Sequence, residues 1–221
     1  MWNVLHYIAI LRGGLMLRKT GLIVGLFGAT AAVAAVGWTV ARATEVDSGV
    51  KVGGMLLSFR PSHLTGPDKG TNVCPLCQYP KDPAVQVWVT GDDTANVLAL
   101  AGFLDQQSAA HAKNKLKTFV VFASPQHRLD VEVAKSTAQA VVKNGLKRVS
   151  IVYVGNGDLK ASEDNDICPE PNIKNTIFVY KERKVSAKFV NLRADAKGTA
   201  ELGTAIEHIL KELHAPNPAN Q

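Results

Sequence analysis

From Pro83 onward the sequence alternates between short β-branched runs and segments of helical period, and few folds accommodate that alternation. Ala84 to Val89 (AVQVWV) has the length and composition of a buried strand. Asp92-Asp93-Thr94 then supplies helix-capping side chains, and Val97, Leu100, Ala101 and Leu104 recur at helical spacing to about Ala112. Thr118 to Ala123 (TFVVFA) is a second strand. It is followed by a helix around Leu129 to Lys143, with Val133, Thr137, Ala140 and Val141 on one side and Gly145 as C-cap. Val149 to Val154 (VSIVYV) is a third strand. Strands joined by helices in this way predict right-handed parallel crossovers. After a long connection, Thr176 to Tyr180 and Val185 to Val190 flank Lys181-Glu182-Arg183-Lys184, the pattern of a hairpin with a solvated tip. Leu202, Ile206, Ile209, Leu210 and Leu213 share one face of a closing helix that stops before Pro216.

The N-terminal part obeys different rules. Met16-Leu17-Arg18-Lys19-Thr20 precedes Gly21 to Val40, a stretch without a charge, and Ala41-Arg42-Ala43 fits the small-x-small pattern of a signal-peptidase site. The expected organisation is a signal peptide or membrane anchor over 1–43 with Met16 as the true start, an extension over 44–82, the alternating domain over 83–215 and a tail over 216–221. Such a chain is exported, to a periplasmic or extracellular space, or stays membrane-anchored through residues 21–40 if the segment is not cleaved.

Charge is read against that division. The chain of 221 residues carries a formal net charge of +6, but 4 of its 25 basic residues (Arg12, Arg18, Lys19 and Arg42) lie in the leader, which has no acid. The remainder holds 21 basic against 19 acidic residues, a net of +2. No arginine-rich run with interleaved aromatics remains, so nucleic acid is not an expected partner. Gly155-Asn156-Gly157 lacks the third glycine and the following amphipathic helix of a phosphate-binding loop.

The chemistry-bearing residues are the three cysteines. Cys74-Pro75-Leu76-Cys77 spaces two sulfurs closely enough to close a small ring stiffened by proline. Residues 78–83 contain two prolines and exclude a long helix after the pair, which removes the usual stabiliser of a thiolate. The seven residues between Cys77 and Val85 let the pair lie at the N-terminal edge of the first core strand or fold back to its C-terminal edge. Cys168 lies in the long connection and is either a resolving thiol for the pair or a lone thiol. His63 is a loop histidine bonded to backbone or a site-lining base. As half of a zinc knuckle, Cys74 and Cys77 would have only His63 and Cys168 as companions, with no second paired knuckle. No metal ligands and no cofactor are therefore assigned. Trp88 alternates with Val87 and Val89 and is expected on the other side of the sheet, under a helix.

With these elements in place, the chain from Val50 to Leu213 resembles the redoxin (AhpC/TSA-like) branch of the thioredoxin-like superfamily, and VKVGGMLLSFRPSHLTGPDKG is similar to that branch's N-terminal extension. The resemblance implies an α/β three-layer sandwich around a mixed central sheet in the order β-α-β-α-β-β-α. It also implies thiol-disulfide or peroxide chemistry, with protein thiols or disulfides as partners. Two departures bear on the activity. The turn where the family carries its nucleophilic cysteine is Thr90-Gly91-Asp92-Asp93, without a cysteine, and the family's cis-proline position is occupied by Asn175-Thr176. Those departures argue against a peroxidase of the usual kind. They leave two readings, an exported thiol-disulfide oxidoreductase using Cys74 and Cys77, or a non-catalytic binding domain in which the pair is a staple or metal knuckle.

Overall fold

The computed structural model describes residues 47–123, 128–155 and 160–212. The expected leader and Leu213 lie outside the described residues. Strand β1 (Ser62–His63) and the one-turn helix α1 (Pro75–Gln78) belong to the extension. The alternating part follows as β2 (Ala84–Val89), α2 (Thr94–Ala110), β3 (Lys117–Phe122), α3 (Arg128–Lys143), β4 (Val149–Tyr153), α4 (Lys160–Asp164), β5 (Asn175–Lys181), β6 (Lys184–Val190) and α5 (Ala196–Glu212). The short helix α4 occupies part of the long connection.

Local chemistry accounts for the boundaries. The Asp93 side chain accepts from Asn96 N at 2.8 Å and starts α2 as its N-cap. Gly145 adopts a φ of +71° after α3, with Gly145 N donating to Val142 O and Leu146 N to Val141 O, a Schellman ending. The β5–β6 turn places Glu182 at φ +52° and Arg183 at φ +67°, the left-handed pair of a tight hairpin turn built here without glycine.

The sheet has the order β1-β4-β3-β2-β5-β6. Strands β2, β3 and β4 are parallel, while β5 runs antiparallel to β2 and β6 to β5. The two crossovers step across the sheet in the same direction. Right-handed connections then put α2 and α3 on one face. That face carries Val85, Val87, Val89, Val120 and Ile151, and α2, α3 and α5 bury Leu100, Leu104, Ala134, Ala138, Leu202 and Ile206 against it. On α3 the buried side is Ala134, Thr137, Ala138 and Val141, whereas Val133 is 38% exposed. Thr137 and Val141 of the expected stripe are buried, and Ala134 and Ala138 join them where Val133 and Ala140 were expected.

The opposite face shows the main difference from expectation. Trp88 does point away from Val87 and Val89, but its chief cover is the extension rather than a long helix. The Phe59 ring lies 4.9 Å from it, centroid to centroid, and Val50, Leu56 and Leu76 complete the cluster, joined by Ala161 of α4. Polar atoms on this face are paired. Trp88 Nε1 donates to Gln86 Oε1 at 3.1 Å, and Gln86 Nε2 donates to the Tyr180 hydroxyl at 2.7 Å. Asn165, at the end of α4, accepts from Leu57 N and donates to Leu57 O and Ala161 O, tying α4 to the extension. Trp88→Ala removes the largest side chain of this layer and should cost about 3–5 kcal/mol, read from the shift of the urea denaturation midpoint.

Candidate functional site

The Cys74–Cys77 turn is built by its own backbone. Cys74 is the N-cap of α1 in extended conformation, and Pro75 takes the first helical position, where its missing N–H costs nothing. Cys77 N and Gln78 N donate to Cys74 O at 3.1 and 2.9 Å, and Cys77 N also lies 3.1 Å from Cys74 Sγ. This brings the two Cα atoms to 5.2 Å, and the sulfurs are joined as a disulfide, leaving Cys168 as the free cysteine. The helix is one turn long, as the prolines at 80 and 83 require.

The two sulfurs meet different surroundings. Cys74 is 8% exposed and packs into the cluster of Phe59, Leu76 and Trp88. Cys77 is exposed, on an open cleft of about 1000 Å³ lined by Ser58, Phe59, Arg60, Asn72 and both cysteines. The Ser58 hydroxyl lies 3.5 Å from Cys77 Sγ, and Arg183 Nη2 donates to it from 3.7 Å. The hairpin tip, expected to be merely solvated, therefore places a guanidinium on the sulfur. Arg183 and Ser58 are the site residues that sequence reasoning missed. The signal was available in the hairpin itself, since pairing β5 antiparallel to β2 brings residues 182–183 to the end of β2 that the chain enters from Cys77.

The choice of edge is settled by the same contacts. Beyond α1, Tyr79 donates to Asp68 Oδ2 at 2.8 Å and lies under the Lys117 ammonium, 4.3 Å from its ring centroid. Burial and the Asp68 carboxylate push the Tyr79 hydroxyl up to about 12. Lys117 opens β3 and also pairs with Asp82 at 3.8 Å, so the turn is anchored at the N-terminal end of the parallel strands. His63 is buried in β1, and because a carbonyl only accepts, its Nε2 carries the proton donated to Val73 O at 2.9 Å. It braces the residue before Cys74 and is backbone-bonded, while its Nδ1 is buried with no partner.

Cys168, Asn175 and Thr176 lie at the other end. Asn175 pairs with Val89 and Thr176 with Trp88, at the C-terminal end of β2. Thr176 Oγ1 is 2.7 Å from Ser48 Oγ, which also accepts from Cys168 N at 3.1 Å. From Thr176 to Lys181 the strand climbs about 17 Å at about 3.4 Å per residue. The structure thus places Cys74 and Cys77 at one end, with His63 bonded to Val73 before them, and Cys168, Asn175 and Thr176 at the other. Among the described residues no group of three or more His, Cys, Asp or Glu is arranged to hold a metal ion.

The turn Thr90 to Asp93, at that far end, is occupied by a polar network. Asp92 Oδ2 accepts from Asn175 Nδ2 and Asn96 Nδ2, each at 2.6 Å, and both amides also donate to Leu192 O at 3.0 Å. Asn175 Oδ1 accepts from Leu192 N, and Asn96 Oδ1 from Ala194 N. Arg193 pairs with Asp93 beside it. An aspartate and two asparagines thus fill the place where the redoxin resemblance implies a cysteine and a proline.

A mixed sheet of this order, three parallel strands joined by helices and then an antiparallel hairpin followed by a helix, is that of the thioredoxin-like fold. Comparison with solved structures agrees. The chain superposes on an uncharacterized conserved protein from Geobacillus kaustophilus with a TM-score of 0.54 at 12% identity, covering 76% of this chain and 86% of that one. It matches Xylella fastidiosa PrxQ with a TM-score of 0.52 at 14% identity, covering 74% and 99%. The thioredoxin domain of a thiol-disulfide oxidoreductase from Bacteroides vulgatus gives 0.50 at 14% identity, covering 74% and 98%. No protein-family model matches the sequence, and no curated protein matches it.

Two outcomes test the filled end. Asp92→Ala leaves one N–H on each of two buried amides unpaired and should cost about 1–3 kcal/mol by urea denaturation, with the rate of Cys74–Cys77 reduction by dithiothreitol unchanged. Asp93 is held below the usual carboxylate range by the Asn96 N–H and then by Arg193. Its contribution is complete above the unfolded pKa of about 3.9 and is lost as pH falls through the lower folded value. The gap in melting temperature between the parent and Asp93→Ala should therefore be widest at about pH 6 and should narrow as pH falls below about 3.9.

Proposed function

We propose that the protein is a thiol-disulfide oxidoreductase in which Cys74 and Cys77 cycle between dithiol and disulfide, with protein thiols or disulfides as partners. The observation that carries this reading is a disulfide with one sulfur exposed on an open cleft and in contact with a cation, since access and a favoured thiolate are what exchange demands. Met55, bridged to Lys184 next to Arg183, and Leu57, next to Ser58, are solvent-exposed apolar side chains in the segments that reach Cys77, which suits a polypeptide partner over a small thiol. The apolar segment at 21–40 and the small-x-small site at 41–43 support action outside the cytoplasm, where disulfides persist. Among the described residues no helix is long and apolar enough to cross a membrane.

A second reading, the pair as a structural staple, is favoured by one observation, the burial of Cys74 in the layer that covers Trp88. The reduction potential separates the two. Thiol trapping and mass spectrometry across glutathione buffers should give a reversible transition between about −120 and −270 mV. Replacing both cysteines by serine should abolish thiol-dependent turnover and leave the melting temperature within a few degrees of the parent. A bond that resists reduction below about −300 mV, with marked destabilisation on its removal, would assign the pair to structure.

A further inference from the structure

Resting on the oxidoreductase reading, we infer that Cys77, the second cysteine of the turn, is the sulfur that exchanges with the partner, that Arg183 and Ser58 hold its thiolate, and that Cys74 resolves. Exchange needs an entering sulfur in line with the bond it breaks, so access decides which cysteine forms the mixed disulfide. Cys74 borders the cleft but is only 8% exposed, packed in the cluster of Phe59 and Leu76. Cys77 opens on the cleft.

The electrostatics point the same way. A one-turn helix has little dipole to offer the cysteine at its start. Cys77 instead has the Arg183 guanidinium at 3.7 Å and the Ser58 hydroxyl at 3.5 Å. These come from two segments far apart in sequence, and both are held in place. Leu56 N donates to Arg183 O at 2.9 Å, Met55 bridges to Lys184, and Leu57 is clamped at both its N–H and its carbonyl by Asn165. Among the described residues lining the cleft there is no carboxylate, and the nearest acid in sequence to Arg183 is the exposed Glu182 of the same turn. The opposite end of β2, with Asp92 and Asp93, has the charge that disfavours a thiolate.

The step balances within the pair and its partner. Cys77 thiolate attacks one sulfur of a partner disulfide, the partner's S–S bond breaks, and its other sulfur leaves as thiolate and takes a proton from water. Cys74 then gives up its proton and attacks Cys77 Sγ. The mixed disulfide breaks, the partner leaves with two thiols, and the pair ends as the disulfide seen here, two electrons having passed to the partner. In reverse, a partner thiolate attacks Cys77 and expels Cys74 as thiolate, which the Cys77 N–H, 3.1 Å from its sulfur, receives. Either direction passes through the same Cys77 mixed disulfide.

The test uses Cys74→Ser and Cys77→Ser, each with Cys168→Ala, and a chromogenic aromatic disulfide as probe. Cys74→Ser should form the mixed disulfide at least about tenfold faster near neutral pH than Cys77→Ser. Adding Arg183→Gln to Cys74→Ser should raise the midpoint of the pH–rate profile by roughly one unit and leave the high-pH rate unchanged, and Arg183→Lys should restore most of the shift. A merely structural role for Arg183 would lower the rate at every pH without moving the midpoint. Should a variant fail to fold, the parent is reduced, given less than one equivalent of iodoacetamide and mapped by peptide mass spectrometry, with Cys77 expected to be alkylated ahead of Cys74. Preferential reaction at Cys74, equal reaction at both, or an unmoved midpoint overturns the inference. The reduction potential separately reports whether the pair cycles at all, so a pair too stable to cycle and a pair that reacts through the other sulfur give different results.

Discussion

A parallel sheet must be covered on both faces, and here the covering is unequal. Because β2, β3 and β4 step across the sheet in one direction, right-handed crossovers send α2 and α3 to the same side, and α5 joins them there. The other face, with Trp88, Phe119 and Phe178, would lie open without the extension. The segment from Val50 to Tyr79 is therefore part of the core. Its hydrogen bonds to α4 through Asn165 and to the β5–β6 turn through Leu56 hold it as a fixed layer.

That layer carries the disulfide. Phe59 packs on Trp88, Ser58 beside it reaches Cys77, and Leu76 anchors the turn from below. One sulfur is drawn into the core by this packing and the other is left on the surface. The asymmetry between Cys74 and Cys77 thus follows from how the sheet is covered. The C-terminal end of β2 is meanwhile filled by Asp92, Asn96 and Asn175, whose side chains hydrogen-bond to one another and to Leu192.

Much of the fold was legible in the sequence because it is written in short-range signals. The strand at Ala84–Val89 coincides with the expected run, Asp93 caps the helix that follows, and Gly145 ends the next. The hairpin, its tip and the apolar face of the last helix are equally local. Less was legible where partners lie far apart. On α3, Ala134 is buried where Val133 was expected. The cover of Trp88 depends on a segment about thirty residues upstream.

The sequence by itself determined the order of elements, the pairing distance of Cys74 and Cys77, and the absence of cysteine from Thr90–Asp93 and of proline from Asn175-Thr176, because each is set by residues within a few places of one another. Tertiary structure alone decided which end of the sheet the pair occupies, which sulfur faces solvent, and that Arg183, 106 positions away, supplies the cation. It also decided that Cys168 stands with Ser48 and Thr176 instead of with the pair. The physical reason is that burial and charge act through space. Periodicity records which face of an element is apolar, but the identity of what covers that face is fixed only when the chain closes on itself.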